Sequence, residues 1–228
     1  MALGTKIRKV MSDGWVIEEV FDPNKGRYNK YYYGRKLAPQ VSMTDKISQQ
    51  YAAYTLIEKD LRNVMFWLNA IERLQPNPLD RVKDPNKMNV IKGLFVAALT
   101  FYGKCFTSCE GRKIKLETKI IPEQHVGTHE QVMKLRHNYA AHSGADNFEE
   151  AKVSLVLHPN KKSDIKPQLY SELTQPDYIL KQGLNFGDLV SDLQAIVLNK
   201  RSQVGDVVLE KIVRPKGKNH WYKLAKKS

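Results

Sequence analysis

Apolar residues recur at steps of three and four from Ile47 through Tyr51, Tyr54, Ile57, Leu61, Val64 and Leu68 to Ile71. That spacing predicts a long helix with one apolar seam, the signature of a bundle member. Ser42 with Asp45 reads as a capping box at its start, and Pro76 and Pro78 stop it. A second helix is predicted from Asp84-Pro85, an acidic cap followed by a first-turn proline, to about Phe106. It is apolar around most of its circumference (Val90, Ile91, Leu94, Phe95, Ala98, Leu99, Phe101, Tyr102), which predicts a central position. Thr128 and Gln131 form another capping box, for a short third helix over about 129–142 with Gly144 as its stop. A last helix starts near Asn185 with Phe186, Leu189, Val190, Leu193, Ile196 and Val197, and Val204, Val207, Val208 and Ile212 extend its period to about 212.

Other stretches carry a period of two. Trp15, Ile17 and Phe21 share one side of an extended segment 15–21. The aromatic run 28–33 offers a second strand, and Asp22-Pro-Asn-Lys-Gly26 between them is turn chemistry, so a β-hairpin is predicted. Residues 152–158 alternate as a strand, with one or two more within 167–180. The expected fold is mainly α: a four-helix bundle with an N-terminal β-hairpin and a small β-insertion before the last helix. The boundaries read as an extension over 1–40, a helical domain over 41–213 with the strand insertion at 150–182, and a basic tail over 214–228.

Composition narrows the class. Hydrophobic residues are 42% and charged residues 27% of 228 positions, as in ordinary globular chains. The longest apolar run, Gly93–Tyr102, is about half of what a membrane crossing needs. The first residues lack an apolar signal core, and the two cysteines, Cys105 and Cys109, sit four apart in an apolar stretch, so a reduced, cytoplasmic protein is expected. Net charge is +13, and it is terminal: residues 1–40 carry +4, residues 200–228 carry +7 and the stretch between them +2. Such a field favours polyanions. The tail interleaves Lys216, Lys218 and Lys223 with His220, Trp221 and Tyr222, and cations with stacking rings suit single-stranded nucleic acid. A solvated tail with its rings docked on the chain's own surface is the other reading.

The third helix carries the candidate chemistry. On a helical wheel Val132, Leu135 and Tyr139 form its apolar stripe, and Arg136 falls inside that stripe. His142 lies at the stripe's edge, roughly 120° around from Arg136. A core-facing arginine is costly unless a carboxylate, a phosphate or a subunit meets it. Glu58 on the first helix is one such carboxylate, with His142 then only a helix cap. Two copies crossing at a twofold axis are another way to bring the groups together.

The run Arg136-His137-Asn138-Tyr139-Ala140-Ala141-His142 resembles the HEPN superfamily. Its signature is an arginine, a polar residue directly after it, four to six intervening residues and a histidine, on a helix of a small α-bundle. The resemblance covers the bundle helices. It implies a metal-independent endoribonuclease that works as a homodimer in toxin, abortive-infection or other antiviral defence systems, with an antitoxin or defence-system partner protein. No cofactor, bound metal or membrane is expected either, since the sequence shows no metal-ligand spacing, no phosphate-binding glycine loop and no apolar run of spanning length. Arg136 and His142 would be catalytic, with His137 or Asn138 orienting either one. Lys134 and Asn138 on the same helix, and Lys218 and Trp221 of the tail, are the expected RNA contacts. Members neutralised by a companion nucleotidyltransferase carry a tyrosine two positions after the histidine, where this chain has Gly144. The chemistry suits the residues: histidine titrates near neutrality and moves protons, and arginine holds a phosphate through two parallel hydrogen bonds. A non-catalytic dimeric helical module that binds RNA or a partner protein is the alternative. His125 with His129, and the loop Gly111–Lys115, are weaker candidates for a metal pair and a phosphate track. Glu58, Asp60 and Glu72 read as ordinary helix-face charges.

Overall fold

The computed structural model describes residues 5–11, 13–108, 112, 114–137, 150–161, 164–174 and 184–225. In chain order its elements are β1 (Thr5–Val10), β2 (Trp15–Asp22), β3 (Gly26–Tyr33), β4 (Lys36–Leu37), α1 (Lys46–Arg73), α2 (Asp80–Lys83), α3 (Pro85–Phe106), α4 (Val126–Leu135), β5 (Glu150–Val156), β6 (Gln168–Thr174), α5 (Phe186–Val208) and α6 (Arg214–Ala225). The chain is mainly helical, and no described helix is long and apolar enough to cross a membrane. It divides into two compact bodies, residues 49–204 and residues 1–48 with 205–228.

The larger body is built on helices α1, α3, α4 and α5. Asp45 caps α1 directly: its carboxylate accepts from the Ile47 and Ser48 amides at 3.1 and 3.0 Å and from the Ser48 hydroxyl at 2.6 Å. Ser42 therefore stands outside the cap. Asp84 caps α3 by accepting from the Lys87 amide at 3.0 Å, with Pro85 in the first turn. The α1 seam buries Ile57, Leu61, Val64, Leu68 and Ile71; α3 adds Ile91, Phe95, Leu99 and Tyr102; α4 adds Val132 and Leu135; α5 adds Leu189, Val190, Leu193 and Val197. Each large side chain removed from water contributes about 1.5–3 kcal/mol, so this seam outweighs any single polar contact in the body.

Helix α4 departs from expectation at its start. It begins at Val126, directly out of a tight turn at Glu123–His125, with no side chain capping it. Thr128 thus lies inside the helix rather than at its cap. The helix ends at Leu135, and Arg136 and His137 continue it as a wider π-type turn. Asn138, Tyr139, His142 and Gly144 lie outside the described residues.

The strand insertion is an antiparallel ribbon of β5 and β6, with Leu155 opposite Leu169, Val153 opposite Ser171 and Ala151 opposite Leu173. Directly paired residues share a face, so one face is apolar. The other pairs Lys152 with Glu172 and Ser154 with Tyr170. Val153, Leu155, Leu169 and Leu173 are each more than 60% exposed.

In the smaller body the predicted hairpin is the centre of a four-stranded antiparallel sheet in the order β1-β2-β3-β4. Val20 and Glu18 are buried, whereas Trp15 and Phe21 are exposed. Glu18 tolerates burial because Lys6 and Arg8 of β1 stand 3.9 and 3.8 Å away and the Tyr32 hydroxyl donates to it at 3.4 Å. The C-terminal residues also differ from expectation. Through a π-type turn at Leu209–Val213, the chain enters α6, in which Pro215 occupies the first turn, where a missing amide costs nothing. Gly217, at φ 71° and ψ 160°, breaks that helix.

Candidate functional site

Arg136 sits at the end of α4, half-buried, its amide donating to the Val132 and Met133 carbonyls. Its aliphatic stem crosses α3 at Gly103. A Cβ built on Gly103 would stand 2.8 Å from Arg136 Cγ, 2.9 Å from Cδ and 3.0 Å from Nε. A glycine inside a helix costs about 1 kcal/mol relative to alanine, and here the missing methyl is the space the arginine uses. Among the described residues no carboxylate pairs with the Arg136 guanidinium. Glu58, the carboxylate raised from sequence as its partner, is held elsewhere: Arg62 at 3.3 Å, Arg201 at 4.0 Å and the Gln194 amide at 3.3 Å.

His137 and Lys134 are exposed beside Arg136. Asn138 and His142 lie outside the described residues, so of the expected pair the structure describes only Arg136. Its guanidinium can bind a phosphate or a developing phosphorane through parallel N–H bonds. One residue of α3 further on, Lys104 brings a second cation, with Nζ 3.7 Å from Asp60 and 5.3 Å from the Phe101 ring centre.

The groups near this helix end are structural. His129, two turns before Arg136 on α4, is buried against Phe106, and its Nδ1 shares a 2.7 Å hydrogen bond with the Tyr102 hydroxyl. Burial pushes its imidazole below the ordinary histidine range and pushes the Tyr102 phenol up. Burial likewise pushes the Cys105 thiol up to about 12, which keeps it unreactive at neutral pH. His125 Nε2 lies 3.0 Å from Asp192. His125 and His129 are thus held by different partners, and among the described residues no cluster of three or more His, Cys, Asp or Glu could hold a metal.

Three charges differ from their expected placement, since Glu58, held as described above, is buried as well and is not an ordinary helix-face charge. Asp60 is not a helix-face charge: it is fully buried, and Arg112 pairs with it through a charge-assisted hydrogen bond while donating at 3.3 Å to the Lys104 carbonyl. Arg112 is therefore committed to the core and cannot track a phosphate backbone from the loop 111–115. The signal was present, because Asp60 is three after Ile57 and four before Val64, inside the apolar seam.

In the smaller body, Trp221 is held by an Nε1 hydrogen bond to the Val213 carbonyl at 2.9 Å. Lys216 Nζ lies 5.3 Å from its ring centre, and Lys218 Nζ lies 5.7 Å from that of Tyr222. Of the expected RNA contacts, Lys218 and Trp221 both belong to α6, the first beside Tyr222 and the second beside Lys216, and Lys134 belongs to the larger body. In sequence and fold comparisons no family profile, no curated protein and no solved structure matches the chain.

Proposed function

We propose that the chain is a metal-independent endoribonuclease of HEPN type, acting as a homodimer in a toxin or phage-defence system. The observation that carries this reading is the seat of Arg136: a cation with no carboxylate partner among the described residues, its stem lying against α3 where position 103 has no side chain. In this reading His142 removes the proton from an RNA 2′-hydroxyl, and that oxygen attacks the adjacent phosphorus. Arg136 holds the phosphorane charge, which is worth roughly 10²- to 10³-fold in rate for one donor. The His142 of a second copy returns a proton to the departing 5′-oxygen, worth roughly 10²- to 10⁴-fold. The products are a 2′,3′-cyclic phosphate and a 5′-hydroxyl. His137 orients the pair.

The dimer is supported by the β5–β6 ribbon. A two-stranded ribbon is marginal alone, and this one presents an exposed apolar face that a second copy can cover with its own. The test of the function is RNA cleavage in buffer with EDTA, scored by the cyclic-phosphate end. A second reading, RNA binding without cleavage, draws on the charge of the smaller body. It predicts salt-dependent RNA retention and no new ends.

A further inference from the structure

The smaller body contains a cleft of about 640 Å³ whose walls come from both ends of the chain. Trp15, Tyr33, Lys36 and Leu37 line it from the N-terminal sheet and its following turn, and Trp221 and Tyr222 line it from α6. Trp15 and Tyr33 face each other across the β2–β3 ladder with ring centres 5.2 Å apart. Trp15, Tyr33 and Tyr222 are 39%, 60% and 49% exposed, so four large rings converge on a wet cavity instead of filling a core. A second cleft, of about 330 Å³, shares Val41 as a wall and continues along β3 with Tyr31 and Asn29. Charge points the same way. Residues 1–48 and 205–228 hold 16 Lys and Arg against 7 Asp and Glu, so 72 residues carry +9 of the chain's +13.

We infer that this cleft seats the bases of single-stranded RNA, stacked on Trp15, Tyr33 and Tyr222, with Lys36 and Lys218 against the flanking phosphates. Stacked rings take any base, and cations beside them take the backbone. The inference deepens the ribonuclease reading, on which it rests for RNA being the substrate: the cleft takes the same class of ligand that the Arg136 site cuts. It adds Trp15 and Tyr33, from the opposite end of the chain, to the cations and rings of the C-terminal residues. A cleft for an apolar peptide has no use for the +9 field, and an acidic peptide has little to stack on four rings.

The probe is a fluorescein-labelled 2′-O-methyl oligouridine decamer, which lacks the attacking hydroxyl and stays intact whatever the enzyme does. Its binding to the full chain is read by anisotropy as a function of salt. Trp15→Ala and Tyr222→Ala are each expected to raise Kd about tenfold or more, the usual effect of losing one stacking platform. Tyr222→Phe, which keeps the ring, is expected to stay within about twofold. Lys36→Gln and Lys218→Gln are each expected to lower the salt slope by about 0.7, while the ring variants leave it unchanged. Circular dichroism verifies that each variant is folded. An unchanged Kd in folded Trp15→Ala and Tyr222→Ala overturns the inference, as does equal affinity for a decaglutamate peptide. A chain that binds through these rings yet never cleaves RNA retires the ribonuclease reading and keeps this one; a chain that cleaves with the ring variants unaffected does the reverse.

Discussion

The Arg136 stem lies where a Gly103 side chain would be, with Cγ 2.8 Å from the position of a Cβ. Alanine at 103 should favour an isolated helix by about 1 kcal/mol, but it must push the arginine aside. In Gly103→Ala the rate of RNA cleavage is expected to fall at least tenfold, by the sensitivity of positioned groups to shifts of about 1 Å. KM for RNA should change little. In an Arg136→Ala background the same substitution should no longer affect cleavage and should raise Tm. The double-mutant cycle reads the coupling directly, and additive effects would remove Gly103 from the site.

Asp60 and Arg112 form a buried pair inside the α1 seam. Asp60→Ala leaves Arg112 buried and unpaired, which is expected to cost about 3–5 kcal/mol. Replacing both by leucine should cost much less, since an apolar pair has no charge to desolvate. Urea denaturation of the two variants orders them, and a mild Asp60→Ala would mean that water reaches Arg112.

His129 gives the larger body an acid-side sensitivity. Burial lowers its pKa in the folded state relative to the unfolded chain. Above the ordinary value near 6.5 both states are neutral and the stability is fully present. As pH falls below about 6.5 the unfolded state takes up the proton first, and stability is lost at up to about 1.4 kcal/mol per pH unit. Tm measured from pH 7.5 to 5 should therefore decline through this window, and His129→Phe should flatten the decline. An identical slope in the variant would assign it to other groups.

The apolar face of β5 and β6 predicts self-association. The parent is expected to sediment as a dimer at micromolar concentration. Leu155→Lys with Leu169→Lys, both on exposed positions, should give a folded monomer with sharply reduced cleavage. A parent that is monomeric and fully active contradicts the dimeric site.

Much of the larger body was legible in the sequence. Its long helices advertise themselves through periodic apolar positions, and Leu61, Leu135, Leu189 and Leu193 are buried as their spacing requires. Strand β1 was not legible, because Lys6, Arg8 and Lys9 hide the alternation of Thr5–Val10, and β4 has only two residues. The buried side of β2 was not legible, because Glu18 is buried through partners on two other strands. Arg136 was visible as a charge on an apolar stripe. Gly103 was not, since a glycine between apolar helix residues has meaning only once α4 packs on it. The aromatic cleft joins positions 15–41 to positions 221–225, a juxtaposition no local pattern encodes.

RNA cleavage by the parent, Arg136→Ala and His142→Ala, each with EDTA present, tests the central claim most directly. The parent should release fragments ending in 2′,3′-cyclic phosphate at a rate EDTA does not change, because the proposed chemistry runs on guanidinium and imidazole groups. Each variant should remain folded and lose at least about 10²-fold in rate, with His137→Ala losing less. Parental rates in both alanine variants, or a reaction that EDTA stops, would contradict the account.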